Sequence, residues 1–398
     1  MSPPWKRWIP GALSRDQLRE LWGPGYIGAR ARRKPSFDAS SLDLHLTGDG
    51  YRLTQGSVKP YGGRYLTQIT NAGLAEPLAL GDDGAFLLEP RSTYLFRLDE
   101  EIHSTDDLSK ARMHGQATAK SSIGRLDVLA RLIVDGMECY ESFDPDGLQK
   151  GDGELYLEVT PITFPVKVKE GSSLSQLRIF YGNPDSVVLH APELYATMLH
   201  RDDGKSSADD VISVDLQKVE GLGFSAFCAS SAPKKEPICL WEEEKGKVDP
   251  KAYWEPKESI PCGDGLRLRI EKSYFYILRS KERIAVPPGI AVYCRASDET
   301  IGEMRIHYAG FAHPNFGWSR KDGRTGTPLI FEVRGHDVNV SLRDGEKMAR
   351  LICYRMSKDY PKESKEDSAD PKQEDSYNEQ ELRLSNYFRE WTDANRSR

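Results

Sequence analysis

Gly153-Glu154-Leu155-Tyr156-Leu157-Glu158-Val159 is a short β-type run in which a glutamate stands between two apolar neighbours. Two readings of Glu158 stay open. It is a solvent-facing carboxylate on an alternating strand, or a carboxylate in apolar surroundings, whose raised pKa suits general-base work. The pattern returns as Ile330-Phe331-Glu332-Val333. Spacings downstream agree: Glu158 to Gly171 is 13 residues and so is Glu332 to Gly345, while Glu158 to Gln176 and Glu332 to Arg350 are both 18. Upstream, Ser41-Leu42-Asp43-Leu44 is echoed by Ser213-Val214-Asp215-Leu216. From the first echo to Ser121 is 80 residues, and from the second to Ala296-Ser297 is 83 or 84. Several coincidences in one order predict a tandem duplication of one β domain.

Length and composition agree with this. A chain of 398 residues is long enough for two domains with separate cores. Its 34 glycines and 24 prolines punctuate many short Val, Ile, Leu and Tyr runs, which predicts mainly β structure. A net charge of −6 does not indicate a nucleic-acid partner. No apolar run reaches the roughly 20 residues of a membrane span, and the first residues lack the apolar core of a signal peptide. Six scattered cysteines with no Cys-x-x-Cys pair favour reduced thiols in a cytoplasm over a disulfide framework or a zinc site.

The boundaries expected are 1–200 for a first β domain, 201–356 for a second with an insertion at about 230–260, and 357–398 for a flexible linker and a closing helix or lid. Residues 11–22 read as an opening helix capped by Ser14, with Gln17 three residues on. Leu87 to Leu98 reads as two short strands turning near Pro90-Arg91-Ser92. Ser357 to Asp375 is charged and poor in apolar residues, and a last helix is expected from about Glu379 to Thr392.

The chemistry-bearing turn is Ala119-Lys120-Ser121-Ser122-Ile123-Gly124-Arg125-Leu126, which runs into the apolar stretch Val128 to Val134. Two hydroxyls, two cations and backbone amides at this spacing suit a phosphate group, and equally a plain solvated loop. A version of it precedes each strand glutamate by a similar distance.

The succession Ser-x-Asp-Leu, Ser-Ser-x-Gly-Arg-Leu, Leu-Glu-Val and Gly-x-x-x-x-Gln-Leu resembles the dCTP deaminase branch of the dUTPase superfamily, in its two-domain bacterial form. The resemblance covers most of both halves. It implies two tandem dUTPase-like (β-clip) distorted antiparallel β-barrels with short N- and C-terminal helices. It also implies hydrolytic deamination of dCTP to dUTP and ammonia with a glutamate base, Mg²⁺ carried on the triphosphate and no zinc. The chain has neither the His-x-Glu nor the Pro-Cys-x-x-Cys signature of zinc deaminases. A homo-oligomer with sites at barrel–barrel interfaces follows from the same resemblance. So do the dCTP and dUTP partners.

Carried over residue by residue, the resemblance is asymmetric. The first repeat keeps Lys120, Ser121, Ser122, Gly124 and Arg125, with lysine where the family has arginine. The second has Arg295-Ala296-Ser297 and Thr300, without the key serine and arginine. Conversely, the second repeat keeps His307-Tyr308-Ala309-Gly310-Phe311, His313-Pro314 and Glu332, similar to the family's nucleoside pocket. There the first repeat has Leu132-Ile133-Val134 with no such turn motif. The resemblance therefore implies one complete site, with Ser121, Arg125 and Glu332 catalytic and Glu158 the other candidate base. Lys120, Ser122, Gly124, Tyr308, Ala309, Phe311, His313 and Gln176 would bind nucleotide. The Tyr377 to Gln380 segment resembles the family's covering tail, with Ser376 in place of its lysine. A dUTPase or bifunctional deaminase–diphosphatase is the alternative enzyme, although Asp322 to Gly326 reads as a mid-domain loop and not a closing arm. A non-catalytic nucleotide-binding protein is the other alternative.

Overall fold

A computed structural model describes residues 3–22, 25–31, 33–103, 105–144, 147, 153–201, 207–230, 236–296, 304–307, 310–318, 326–358 and 381–392. They fall into two compact units. The first is Met1–Leu189 with Glu236–Glu244 and Tyr354–Ser364; the second is His190–Lys235 with Lys245–Cys353 and Lys365–Arg398.

The first unit is built on an antiparallel, barrel-like sheet. Its strands run, in spatial order, Val128–Val134, Gly153–Pro161, Tyr94–Ile102, Leu42–Leu53, Ser173–Tyr181, Met113–Ala119 and Ser142–Phe143. The glutamate strand Gly153–Pro161 therefore lies between Val128–Val134 and Tyr94–Ile102. In the second unit the glutamate strand Thr327–Gly335 likewise lies between Met304–His307 and Phe275–Ile284. These strands are buried on both faces, since neighbouring residues that point opposite ways are equally covered: Leu95 and Phe96, and Leu132 and Ile133, in one unit, Ile277 and Leu278 in the other.

Matching hydrogen bonds recur in both units. The Tyr94 hydroxyl accepts from the Glu89 amide (2.9 Å) and the Tyr276 hydroxyl from the Glu271 amide (3.1 Å). Gly171 and Gly345 both take positive φ, 85° and 77°, as a tight turn between paired strands requires. Their amides donate to Leu46 (2.8 Å) and Val214 (2.9 Å). This corrects one sequence echo. Ser173 is in register with His45 and Lys347 with Ser213, so Ser213 takes the place of His45 rather than of Ser41. The four-residue slip escapes notice in sequence because side chains alternate with period two, so an even shift keeps every inward position inward. At both places a buried glutamate accepts the strand amide: Glu100 from His45 (2.8 Å) and Glu282 from Ser213 (2.6 Å).

The opening helix spans Arg15–Trp22 and buries Leu18 and Leu21. Its capping box is formed: the Ser14 amide donates to Gln17 Oε1 (3.0 Å) and the Gln17 amide to Ser14 Oγ (3.5 Å). Gly11–Ala12, expected in that helix, is instead a short strand paired with Phe180 and Tyr181. Part of the expected second-domain insertion belongs to the first unit. Ile238–Cys239 adds in parallel to Val166–Lys167 in a three-stranded sheet, and Lys169 lies 4.8 Å from the Trp241 ring.

The expected closing helix is not formed between residues 381 and 392. This segment runs along Val248: Gly246 donates to Asn386 (2.9 Å), Val248 to Tyr387 (3.2 Å) and Arg389 to Val248 (2.9 Å). Leu382, Leu384, Tyr387 and Phe388 are buried, and Trp391 packs edge-on against Phe227 at 5.2 Å. Bonding to the Gly246–Val248 segment satisfies backbone groups that a helix would have satisfied internally, and aromatic burial holds the segment in place. The earlier part of that helix lies outside the described residues.

Candidate active site

The Ser121 stretch folds as a single helical turn, Ser121–Gly124, with Lys120 in extended conformation before it. Ile123 is fully buried and anchors the turn from below. The amides of Ile123 and Gly124 donate to Lys120 (2.8 and 3.0 Å) and that of Arg125 to Ser121 (3.1 Å), so these three face the turn itself and are not open to a phosphate. Ser121 is exposed, Ser122 half-buried, and Gly124 and Arg125 are buried. Beyond it, buried Asp127 takes φ 58°, its carbonyl accepts from Ile162 (2.9 Å) and its carboxylate accepts from Thr163 Oγ1 (2.5 Å). The turn is thus pinned at its far end, leaving Ser121 as the hydroxyl presented outward.

At its near end Lys120 Nζ meets Asp43 Oδ2 at 2.8 Å and Ser173 Oγ at 3.5 Å. Asp43 also accepts from Ser36 Oγ (2.9 Å). Gln176 stands in register with both Asp43 and Thr118; it is buried and accepts from Ser41 Oγ (3.2 Å). The structure thus brings Lys120 and Gln176 to Asp43, with Ser121 next in the chain after Lys120.

Glu158 is elsewhere in the first unit and is fully engaged. It lies opposite Arg131 across the sheet, and Oε1 accepts from Arg131 Nε (3.1 Å), Arg131 Nη2 and Ser57 Oγ (3.0 Å). Tyr140 donates to Oε2 (3.1 Å). Burial lowers the Arg131 pKa, but the Glu158 carboxylate more than offsets this and holds the guanidinium above its ordinary value. Burial and then Glu158 push the Tyr140 and Tyr65 phenols up. Around this knot pack Tyr65, Ile69, Leu95, Ile133 and Tyr156, with Val58 and Tyr140 against them. Both oxygens of this carboxylate are thus engaged, by one guanidinium and two hydroxyls. Next to Arg131, burial raises the Glu141 carboxyl from 4.5 to about 7, with Arg131 pulling the other way.

Glu332 is buried and in register with Ile277 on one side and His307 on the other. Where the first unit offers an arginine to its glutamate, the second has a histidine at the same register. Cys294, which the sequence did not single out, lies close enough that burial and Glu332 push its thiol up to about 12. Tyr293 and Phe311 stand in register with ring centroids 5.9 Å apart. His313 opens a turn in which Phe316 donates to the His313 carbonyl (3.1 Å) and Asn315 takes φ 70°. Tyr308, Ala309, Ser297, Thr300, Tyr377 and Gln380 lie outside the described residues. Among the described residues no group of three or more His, Cys, Asp or Glu is placed to hold a metal ion, and no helix is long and apolar enough to cross a membrane.

The two halves match two family models. Residues 9–183 match the 2′-deoxycytidine 5′-triphosphate deaminase N-terminal domain, and residues 190–388 match the C-terminal domain of the same family. The chain is similar in structure to the 2′-deoxycytidine 5′-triphosphate deaminase from Agrobacterium tumefaciens. The TM-score is 0.74 at 28% identity, over 88% of this chain and 96% of that one. No curated protein matches the chain in sequence. With both halves matched in order, and each carrying a strand glutamate in the same sheet position, the chain belongs to the 2′-deoxycytidine 5′-triphosphate deaminase family.

Proposed function

We propose that this protein hydrolyses dCTP to dUTP and ammonia, with Glu332 as the general base. Family membership of both halves supports the substrate. The base assignment follows the family resemblance, in which the second half keeps the pocket pattern around His313-Pro314 and Glu332, and one observation accompanies it: Arg131 stands opposite Glu158 and binds it, whereas the residue in register with Glu332 is His307. Glu332 takes a proton from water, and the hydroxide oxygen bonds to C4 of cytosine. The carboxylate delivers that proton to N3, which keeps it; the hydroxyl proton of the C4 adduct then passes through the carboxylate to the amino group, the C4–N bond breaks to release ammonia, and the C4 carbonyl of uracil forms. The family resemblance assigns Ser121 and Arg125 to the water and Ser122, Gln176, Phe311, His313, Tyr308 and Ala309 to the nucleotide, while Gly124, whose amide is bonded within the turn, shapes that turn.

Mg²⁺ belongs to this proposal as part of the substrate, liganded by phosphate oxygens and needing few protein ligands. The water is activated by the carboxylate and not by zinc. The protein is placed in the cytoplasm as a homo-oligomer, and the Tyr377 to Gln380 segment as a cover over bound nucleotide. The test is incubation with dCTP and with dUTP, separating products by chromatography. Ammonia and dUTP from dCTP are expected. Pyrophosphate from dUTP without ammonia from dCTP overturns the reading in favour of a diphosphatase.

A further inference from the structure

Asp43 and Lys120 are partners across the first unit's sheet, and the pair is mostly withdrawn from water: 16% and 27% of their side chains are exposed. An ammonium is a point charge with three donors. Two of these already point at Asp43 Oδ2 (2.8 Å) and Ser173 Oγ (3.5 Å). Asp43 is itself held by Ser36 Oγ (2.9 Å) and sits in register with Gln176. Lys120 immediately precedes Ser121 and its carbonyl receives the amides of Ile123 and Gly124. Its backbone amide donates to Leu174 (3.0 Å). Anchoring this one residue therefore sets the direction in which the whole turn starts.

We propose that Asp43 is a positioning residue for the Ser121 turn, acting through Lys120, and that Lys120 is a strut for Ser121 and not a phosphate ligand. The inference rests on the proposed function for its kinetic consequences, but its structural content stands apart from it. A guanidinium has five donors in a fork and could hold Asp43 and a phosphate together; a lysine committed to Asp43 has little left to offer. The motif Ser-x-Asp-Leu, otherwise without a role, thereby gains one.

Two measurements test this on the full chain. Without nucleotide, Asp43→Asn and Lys120→Met should each speed amide hydrogen exchange at Ser121 to Arg125 by about ten-fold, and the double variant no further. This holds whether or not the protein turns over dCTP, so failure here is distinct from failure of the deaminase reading. With dCTP, both single variants should lower kcat by about ten-fold with KM within about two-fold, and Lys120→Arg should restore kcat. Unchanged exchange in both variants overturns the strut. So does a KM raised ten-fold or more by Lys120→Met alongside an unaltered Asp43→Asn, which would make the lysine a direct phosphate ligand.

Discussion

Glu158 and Glu332 stand on corresponding strands of two similarly wired sheets, yet their surroundings differ in one decisive respect. Opposite Glu158 is Arg131, and Ser57 and Tyr140 complete a closed set of donors. Opposite Glu332 is His307, with the Cys294 thiol nearby. A carboxylate locked to a guanidinium contributes to the fold, because its lone pairs are occupied and its charge is offset. Opposite Glu332 the sheet places a different side-chain type at the same register. Recurrence of a residue thus says little about its chemistry until the residue across the sheet is known.

Replacing each glutamate is the sharpest way to break the comparison. Glu332→Gln should lower dCTP turnover by about 10³-fold while dCTP binding persists, measured as ammonia release and by calorimetry. Glu158→Gln should leave turnover within a few-fold. Exchange of these two outcomes would move the base to the first unit. Next in size, Ser121→Ala should cost about 10²-fold in kcat with little change in dCTP affinity, since its outward hydroxyl is assigned to the water. A rise in KM alone would reassign it to the phosphates.

The knot around Glu158 makes a stability prediction instead. Arg131→Met strands a buried carboxylate and should destabilise the first unit by about 2–4 kcal/mol, discounted for the partial exposure of the arginine. Adding Glu158→Leu should recover most of that loss in thermal unfolding. If Arg131→Met is neutral, Glu158 is not held as described. The smallest effect concerns Glu141, whose carboxyl burial raises from 4.5 to about 7. In this range the unfolded chain ionises before the folded one, so the group's contribution to stability is fully present below about pH 4.5 and is lost as pH rises to about 7. Glu141→Gln should flatten that part of the pH–stability profile, and an unchanged profile would place the titration elsewhere.

Much of the fold was legible in the chain. Alternation marked the Leu42, Gly153 and Thr327 strands, Ser14 and Gln17 marked the helix start, and Gly171 and Gly345 marked equivalent turns. The Ser41 and Ser213 echo misled because two four-residue motifs of one parity fit the same strand at two registers. The closing segment misled for a related reason: Leu382, Leu384, Tyr387, Phe388 and Trp391 satisfy a loose helical spacing, but the pairing partner at Val248 lies more than a hundred residues away. Cys294 carried no local signal at all.

The sequence by itself determined the β class, the two-part organisation and the residues of the Ser121 turn, because alternation, turn glycines and capping act over a few neighbouring positions. Only the tertiary structure decided which residue stands across from each glutamate, that Lys120 is tied to Asp43, and that Ile238–Cys239 completes a sheet of the first unit. These depend on strand register and on partners distant in the chain. Register is set by the packing of whole sheets, which no short stretch of residues encodes.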